Sequence, residues 1–298
     1  MTNMNEENQQ EDKGLFNIDA VGKKIDSAIV DMSGKKEFRS RTLNKVMTFI
    51  GTSGGVGSST LVSTLAVELE NKGLSVLVID LDIMYPTQHI LFNLYTSYDV
   101  KAKDLLTYMQ GLNKAGESIQ YSKNVGVMVA NNRTLQEYIG LDNGDMSKEF
   151  EKLLDGMTSS FDIILIDCPS SKVEFDLVNT AMYKSDTIYC VLDDGVKSIV
   201  NTEKFINNCE ITGIHTKKIK YIMNKRTSFF YPENNLKSMG IELEAIIPFE
   251  IGVIECGLKG QIYTLVGKAT SKSSNSYIEE IYKLRDKLIE DAGGVISK

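Results

Sequence analysis

A short glycine-rich segment, Gly51 to Thr60, contains residue types that can bind phosphate. Glycines allow the backbone to curl so that successive N–H groups point towards an anion. The apolar run Val46 to Ile50 before it predicts a buried strand, and the stretch Thr60 to Asn71 after it predicts an amphipathic helix. A strand, a glycine loop and a helix N-terminus together attract phosphate groups. The pattern therefore predicts a nucleotide phosphate loop.

The segment departs from the phosphate-loop pattern G-x-x-x-x-G-K-[ST] at its basic position. Thr52 occupies the first glycine position, Gly57 matches the second, and Ser58 stands where a lysine is expected. Ser59 matches the hydroxyl residue that holds Mg²⁺. The alternative is a glycine-rich turn that binds nothing.

Three aspartates follow apolar runs that we interpret as strands. Asp80 and Asp82 follow Val76 to Ile79, and Asp167 follows Ile163 to Ile166 in the arrangement of a Walker B strand. Carboxylates at such positions can hold Mg²⁺ through water or orient a nucleophilic water. The alternative for Asp80 and Asp82 is the capping of a turn or helix, which is common for aspartate at strand ends.

The elements that position these residues are predicted by apolar runs that alternate with amphipathic stretches. Runs that are apolar at nearly every position are typical of strands buried on both faces of a parallel sheet. The alternation predicts an α/β fold with a doubly wound, mostly parallel sheet and helices on both faces. The predicted strands are Val46 to Ile50, Val76 to Ile79, Val125 to Val129, Ile163 to Ile166, Ile188 to Leu192, Ile219 to Met223 and Ala245 to Ile247, and the predicted helices include Thr60 to Asn71, Met146 to Met157, Leu177 to Tyr183 and Ile199 to Glu210.

We predict one large domain, residues 45–291, between two short ends. Residues 1–44 form an N-terminal tail or extension, whose first dozen residues are too polar to bury a core and are expected to be disordered. The rest of it either packs on the domain or docks elsewhere. Residues 277–289 predict a terminal helix, and its mixed charge favours packing on the sheet over lying on a membrane. Residues 292–298 are a C-terminal tail.

Composition excludes several classes of protein. The chain has 298 residues, 42% of them hydrophobic, which suffices for a large core. Its net charge of −7 argues against a surface built throughout for polyanions. The four cysteines have no C-x-x-C spacing and are expected to be reduced, and two histidines are too few for a His-rich metal cluster. No apolar run reaches the roughly 18 residues of a membrane span, so such a span is excluded. The scattered cysteines are typical of reduced core residues, which predicts a cytoplasmic protein.

With these motifs in this order, the sequence resembles the ParA/MinD superfamily of deviant-Walker P-loop ATPases over most of residues 45–290. Family members carry the motifs K-G-G-x-G-K-[ST]-T, D-x-D and h-h-h-D-x-P, with an asparagine after a later strand. Similar residues here are Ser53 to Thr60, Asp80 and Asp82, Asp167 and Pro169, and Asn224.

The resemblance implies ATP or ADP with Mg²⁺ as cofactors and a role for each matched position. The residues implied to bind nucleotide are Ser53, Gly54, Gly55, Val56, Gly57, Ser58, Ser59, Thr60, Asn224, Pro248 and Phe249, with Asn224 at the adenine edge. Ser59, Asp80 and Asp167 would lie at the metal, and Asp82 would orient the attacking water.

Two departures from the family pattern change the expected activity. The signature lysine of the family falls at Ser53 and the ordinary loop lysine at Ser58. Loops of this form are similar to the TadZ/CpaE branch, although residues 1–44 are too few for the receiver-like domain of many of its members. Losing two cations predicts weak ATP binding and slow or no hydrolysis. Lys197 is a candidate substitute cation, or simply a solvent-facing lysine at a helix start.

The resemblance implies a localisation or assembly factor for a pilus, secretion or similar cell-envelope machine. It would be a homodimer with protein partners, recruited to a pole or membrane site, with only indirect membrane contact and without DNA binding. The alternative is an active ParA-type partition ATPase that moves DNA or protein cargo, and a third possibility is a scaffold with an empty pocket. The aromatic cluster Phe229 to Tyr231 is either a partner contact or a local plug.

Overall fold

The computed structural model describes residues 43–94, 103–130, 143–170, 173, 175–227, 233–266 and 272–294. The predicted extension, apart from its last two residues, and the aromatic cluster Phe229 to Tyr231 lie outside these ranges, as do the final four residues.

The seven predicted apolar runs and one further strand, β3, form one sheet of eight strands within the described residues, in the order β3-β4-β2-β5-β1-β6-β7-β8. Neighbouring strands pair in parallel, except that β3 runs antiparallel to β4. The predicted α/β fold with a mostly parallel sheet is therefore confirmed. The strands are β1 (Lys45–Gly51), β2 (Val76–Asp80), β3 (Gln120–Ser122), β4 (Val125–Met128), β5 (Ile163–Cys168), β6 (Thr187–Leu192), β7 (Ile219–Arg226) and β8 (Leu243–Pro248).

Helices connect the strands and cover both faces of the sheet. They are α1 (Ser58–Glu70), α2 (Gln88–Leu91), α3 (Leu105–Met109), α4 (Asn143–Met157), α5 (Asp176–Lys184), α6 (Val196–Ile211), α7 (Glu233–Ser238), α8 (Ile251–Gly257), α9 (Tyr263–Val266) and α10 (Lys272–Asp291), and single 3₁₀ turns occupy Ala115–Glu117 and Thr216–Lys218.

The core lies on both faces of the sheet because side chains alternate along each strand. In β1, Val46 and Ile50 join a cluster with Phe150 of α4, whereas Met47 and Phe49 join a second cluster with residues of α1 and α10. Both clusters are buried, so the central strands are apolar at nearly every position. This two-sided packing fixes the ends of the strands, where the polar loops begin.

The C-terminal helix α10 packs on the sheet, as its mixed charge predicts. Tyr277, Ile281, Leu284 and Leu288 are buried in the cluster that contains α1. Asp291, at its end, accepts hydrogen bonds from the Tyr189 hydroxyl at 2.9 Å and from the Lys220 ammonium at 2.6 Å, which joins the helix to the sheet.

The four cysteines are free, and Cys168, Cys190 and Cys209 are buried. In the part of the chain that the structure describes, we find no helix with the length and apolar character needed to cross a membrane.

Candidate functional site

The glycine loop connects β1 to α1 at the point where the strand order changes direction. β1 lies between β5 and β6, so the loop emerges where ligands bind in open α/β sheets. Gly55 and Gly57 have φ of +86° and +88°, a region that favours glycine. The Thr52 N–H donates to the Val191 carbonyl at 2.9 Å, which fixes the start of the loop.

The N-terminus of α1 presents free backbone donors to the loop. Gly57 is its N-cap, and neither a side-chain cap nor an acidic residue in the first turn occupies these donors. Leu61 makes the first helical hydrogen bond, to the Gly57 carbonyl at 3.0 Å. Within the described ranges, the N–H groups of Ser58, Ser59 and Thr60 therefore have no protein acceptor. This geometry suits an anion, because the helix dipole adds positive potential at the same place.

Two carboxylates meet beside this loop because β2 and β5 pair in register, with Asp80 opposite Asp167. Asp80 is fully buried and accepts three backbone N–H bonds, from Asp82 at 2.9 Å, Thr87 at 2.8 Å and Gln88 at 3.0 Å. These bonds fold the segment after β2 into a tight turn. The capping role that the sequence left open for Asp80 is therefore present.

Asp82 lies beyond the end of β2, because the strand stops at Asp80. Its carboxylate accepts the Tyr85 N–H at 3.1 Å and is half-buried. Because the strand has ended, the alternation of side chains along a strand does not place Asp82 on the same side as Asp80. Burial raises the pKa of the Asp82 carboxyl, while backbone N–H bonds oppose that shift.

Gln88, the first residue of α2, is a site residue that the sequence analysis missed. It is fully buried, and its amide nitrogen donates to Asp167 Oδ2 at 2.7 Å and to the Ser59 carbonyl at 3.0 Å. The side chain thus joins the end of β5 to the first turn of α1. No local pattern marks it, because a single glutamine between Thr87 and His89 has no distinctive spacing.

The buried carboxyl groups repel one another and favour protons. Burial raises the pKa of Asp167 first, and the charge of Asp80 raises it further, against hydrogen bonds from Gln88 and Ser59 that lower it. Burial likewise raises the pKa of Asp80. A cation at this place would relieve the same repulsion.

The residues present fit a magnesium ion. Asp167 Oδ1 is buried and has no hydrogen-bond partner among the described residues, and the Ser59 hydroxyl contacts the same carboxyl group. Hydroxyl and carboxylate oxygens are the ligands that Mg²⁺ prefers. Ser59 and Asp167, with Asp80 behind them, would hold the ion, which when bound would neutralise phosphate charge.

A cavity of about 250 Å³ opens beside the loop, between β7, β8, α8 and α10. Asn224, Pro248 and Phe249 line it, as the resemblance implies for a base pocket, together with Val253 and Tyr277, which the sequence did not indicate. The Asn224 side-chain nitrogen donates to the Val56 carbonyl at 2.9 Å, which holds the side chain against the loop. The side-chain oxygen of Asn224 is not used in this bond and could accept a hydrogen bond from a ligand.

The lysine that contacts the glycine loop is Lys225, not the candidate Lys197. The chain has no lysine or arginine between Lys45 and Lys72. Lys197 is exposed at the start of α6, in keeping with the solvent-facing alternative. Lys225, which the sequence analysis did not single out, donates from its ammonium group to the Gly55 carbonyl at 2.6 Å.

Solved structures share this fold at low identity. MinD of Pyrococcus horikoshii, solved with Mg-ADP, has a TM-score of 0.67 and 20% identity, covering 84% of this chain and 97% of that chain. A ParA family ATPase of Chlorobium tepidum has a TM-score of 0.65 and 17% identity, covering 80% and 98%. The MinC:MinD complex of Aquifex aeolicus has a TM-score of 0.66 and 20% identity, covering 85% and 98%.

Sequence comparison gives the family. A protein of Chlorella vulgaris, assigned as a septum site-determining MinD, is 24% identical over 251 residues, covering 81% of this chain and 85% of that protein. The AAA domain family AAA_31 matches residues 44–222, more than half of the chain, including the glycine loop and the three aspartates. The chain therefore belongs to the AAA_31 family of AAA domains, and its fold and motifs are similar to those of ParA and MinD proteins.

Proposed function

We propose that this protein is a ParA/MinD-type nucleotide-binding protein with a degenerate site, which binds ATP weakly and hydrolyses it slowly or not at all. It would serve as a localisation or assembly factor of the TadZ/CpaE type, for a pilus, secretion or similar cell-envelope machine. One observation carries the proposal: the free backbone donors of the loop persist, while Ser53 and Ser58 replace both lysines.

Weak binding follows from the charges. ATP carries about four negative charges, and removing one partner of a buried charge pair costs roughly 2–5 kcal/mol. The N–H groups of Ser58, Ser59 and Thr60 and the magnesium ligands still favour the phosphates. The affinity for ATP is therefore powers of ten lower than that of a loop with both lysines, but it is not abolished.

Slow turnover follows from the same loss. Phosphoryl transfer depends almost entirely on positioning and on stabilising charge in the transition state, to which lysine contributes strongly. Asp82 would still orient a water if hydrolysis occurred. The missing cations would limit the rate.

Protein contacts are supported by apolar side chains beside the base pocket. Ile251 and Ile254 of α8 and Leu258, the residue that caps its C-terminal end, are exposed by 55%, 43% and 84%, and their spacing places them along one side of the helix. Exposed apolar residues grouped in this way mark interaction surfaces. We assign this stripe to a homodimer, and the solved MinC:MinD complex of a relative supports protein partners in addition. Such partners would recruit the protein to a pole or membrane site from the cytoplasm.

The test compares the natural protein with Ser58→Lys. We expect the natural protein to bind Mg-ATP weakly by calorimetry, with phosphate release close to background. Ser58→Lys should bind at least about tenfold more tightly, the value of one charge-assisted hydrogen bond to phosphate. Ser160→Lys adds the same charge at an exposed loop position and should change nothing. Brisk magnesium-dependent hydrolysis by the natural protein that disappears in Asp82→Ala would refute the proposal.

The second candidate is an active partition ATPase, favoured by the three retained aspartates Asp80, Asp82 and Asp167. Such a protein would bind DNA with an affinity that falls steeply with salt. The net charge of −7 opposes this candidate. The same turnover assay, with DNA binding measured at two salt concentrations, separates the two.

A further inference from the structure

Lys225 reaches the glycine loop from another part of the fold. It lies in β7, 170 residues from Gly55, and its ammonium group donates to the Gly55 carbonyl at 2.6 Å. Its φ of +55° is a conformation that residues other than glycine rarely adopt. Near the end of β7 the backbone at Lys225 thus adopts an unfavourable left-handed conformation.

The ammonium group lies against the start of α1. A Cβ built on Gly57 would stand 3.1 Å from Lys225 Cε and 3.7 Å from its Nζ. Gly57 is the N-cap of α1, whose free N–H groups form the anion site. Lys225 therefore places its charge within a few ångströms of the atoms that would hold phosphate, beside Asn224 and the base pocket.

The charge has one protein partner among the described residues, and that partner is neutral. An ammonium has three donors, and the Gly55 carbonyl uses one. No carboxylate among the described residues forms an ion pair with it. Two donors remain for a ligand oxygen.

We propose that Lys225 supplies the phosphate-binding cation that the loop lost at Ser53 and Ser58. The positive charge comes from β7 instead of from the loop itself. The assignment rests on the proposed nucleotide binding and deepens it, because it names the residue that keeps a phosphorylated ligand bound. The competing explanation is that Lys225 only stabilises the conformation of the loop, through its hydrogen bond to the Gly55 carbonyl.

The experiment measures binding of ATP, ADP, AMP and adenosine, with Mg²⁺, to the full chain and to Lys225→Gln. A phosphate contact predicts a loss that follows the number of phosphates: about tenfold or more for ATP, less for AMP and none for adenosine. Lys225→Arg should retain most of the ATP affinity, because it keeps the charge. Lys72→Gln removes an exposed lysine beyond the C-terminal end of α1, far from its N-terminus, and should have no effect.

A double-mutant cycle with Ser58→Lys separates a charge effect from a fastening effect. If Lys225 supplies the cation, a lysine at position 58 should restore the ATP affinity of Lys225→Gln and improve the natural protein less. If Lys225 only fastens the loop, Ser58→Lys should give the same gain in both backgrounds. Thermal unfolding without ligand checks that each variant folds.

The outcomes also separate this assignment from the proposed function. If the natural protein binds ATP and Lys225→Gln binds it equally well, or loses adenosine as strongly as ATP, the role of Lys225 is wrong and nucleotide binding stands. If the natural protein binds none of the four ligands, both proposals are wrong.

Discussion

A buried amide donor, Gln88, holds the two halves of the candidate site together. It donates to Asp167 on β5 and to the Ser59 carbonyl on α1. A leucine has similar bulk but cannot donate, so Gln88→Leu would leave the buried Asp167 Oδ2 and the partly buried Ser59 carbonyl without this donor. An acceptor that folding removes from water destabilises the folded state when no protein donor replaces its hydrogen bond to water.

We expect Gln88→Leu to lower the free energy of unfolding by roughly 1–3 kcal/mol. Gln110→Leu is the control, since Gln110 is exposed at the end of α3 and the change there should stay within about 0.5 kcal/mol. Urea unfolding of both variants measures the difference. Equal, small effects would contradict the bridging role of Gln88.

The carboxyl pair Asp80 and Asp167 makes stability depend on pH. Burial raises the pKa of both groups in the native state. The native protein therefore holds these protons more tightly than the unfolded chain does. The resulting stabilisation is complete below about pH 4, the ordinary range for aspartate, and is lost as the pH rises towards about 8.

We therefore expect the free energy of unfolding without divalent cations to fall between pH 5 and pH 8, by on the order of 2 kcal/mol. Asp167→Asn should flatten this dependence, because the amide cannot ionise, whereas Asp155→Asn, at an exposed position, should leave it intact. Mg²⁺ should restore stability at pH 8 in the natural protein and have little effect on Asp167→Asn. Chemical denaturation at several pH values, with and without Mg²⁺, tests each point.

At the scale of the elements, the sequence predicts what depends on local pattern. The seven predicted strands are present because continuous apolar runs are required where both faces of a sheet are covered. β3 was not predicted: Gln120, Tyr121 and Ser122 form no apolar run and lie partly exposed at the sheet edge. Only the antiparallel pairing with β4 makes this segment a strand.

The same distinction applies to the candidate site. The glycine loop, Asp80 and Asp167 were predicted because each follows an apolar run directly. Gln88 and Lys225 were missed because their contacts join residues 79 and 170 positions apart. Such pairings depend on the strand order, which no local spacing encodes.

At the scale of the whole molecule, the glycine loop, the candidate base pocket and the apolar stripe of Ile251, Ile254 and Leu258 lie close together, since Ile254 and Leu258 line the cavity beside Thr60. By the resemblance, dimers of this superfamily form face to face across the nucleotide, with the lysine at the Ser53 position reaching the other subunit's phosphates. That bridge is absent here. A dimer would depend instead on direct contacts between the surfaces of the two subunits.

We therefore expect self-association that does not require ATP. Sedimentation velocity should show the same dimer fraction with and without Mg-ATP, and Ser59→Ala should preserve it, because the metal ligand contributes nothing to an apolar contact. Ile251→Glu should weaken the dimer while retaining ATP binding, since Ile251 is exposed on α8 and the charge would be buried without a partner. Ile211→Glu alters a still more exposed isoleucine, on α6, and serves as the control. A monomer that dimerises only with ATP would instead mean that Lys225 or another cation bridges the subunits through the nucleotide, as the lost lysine would have done.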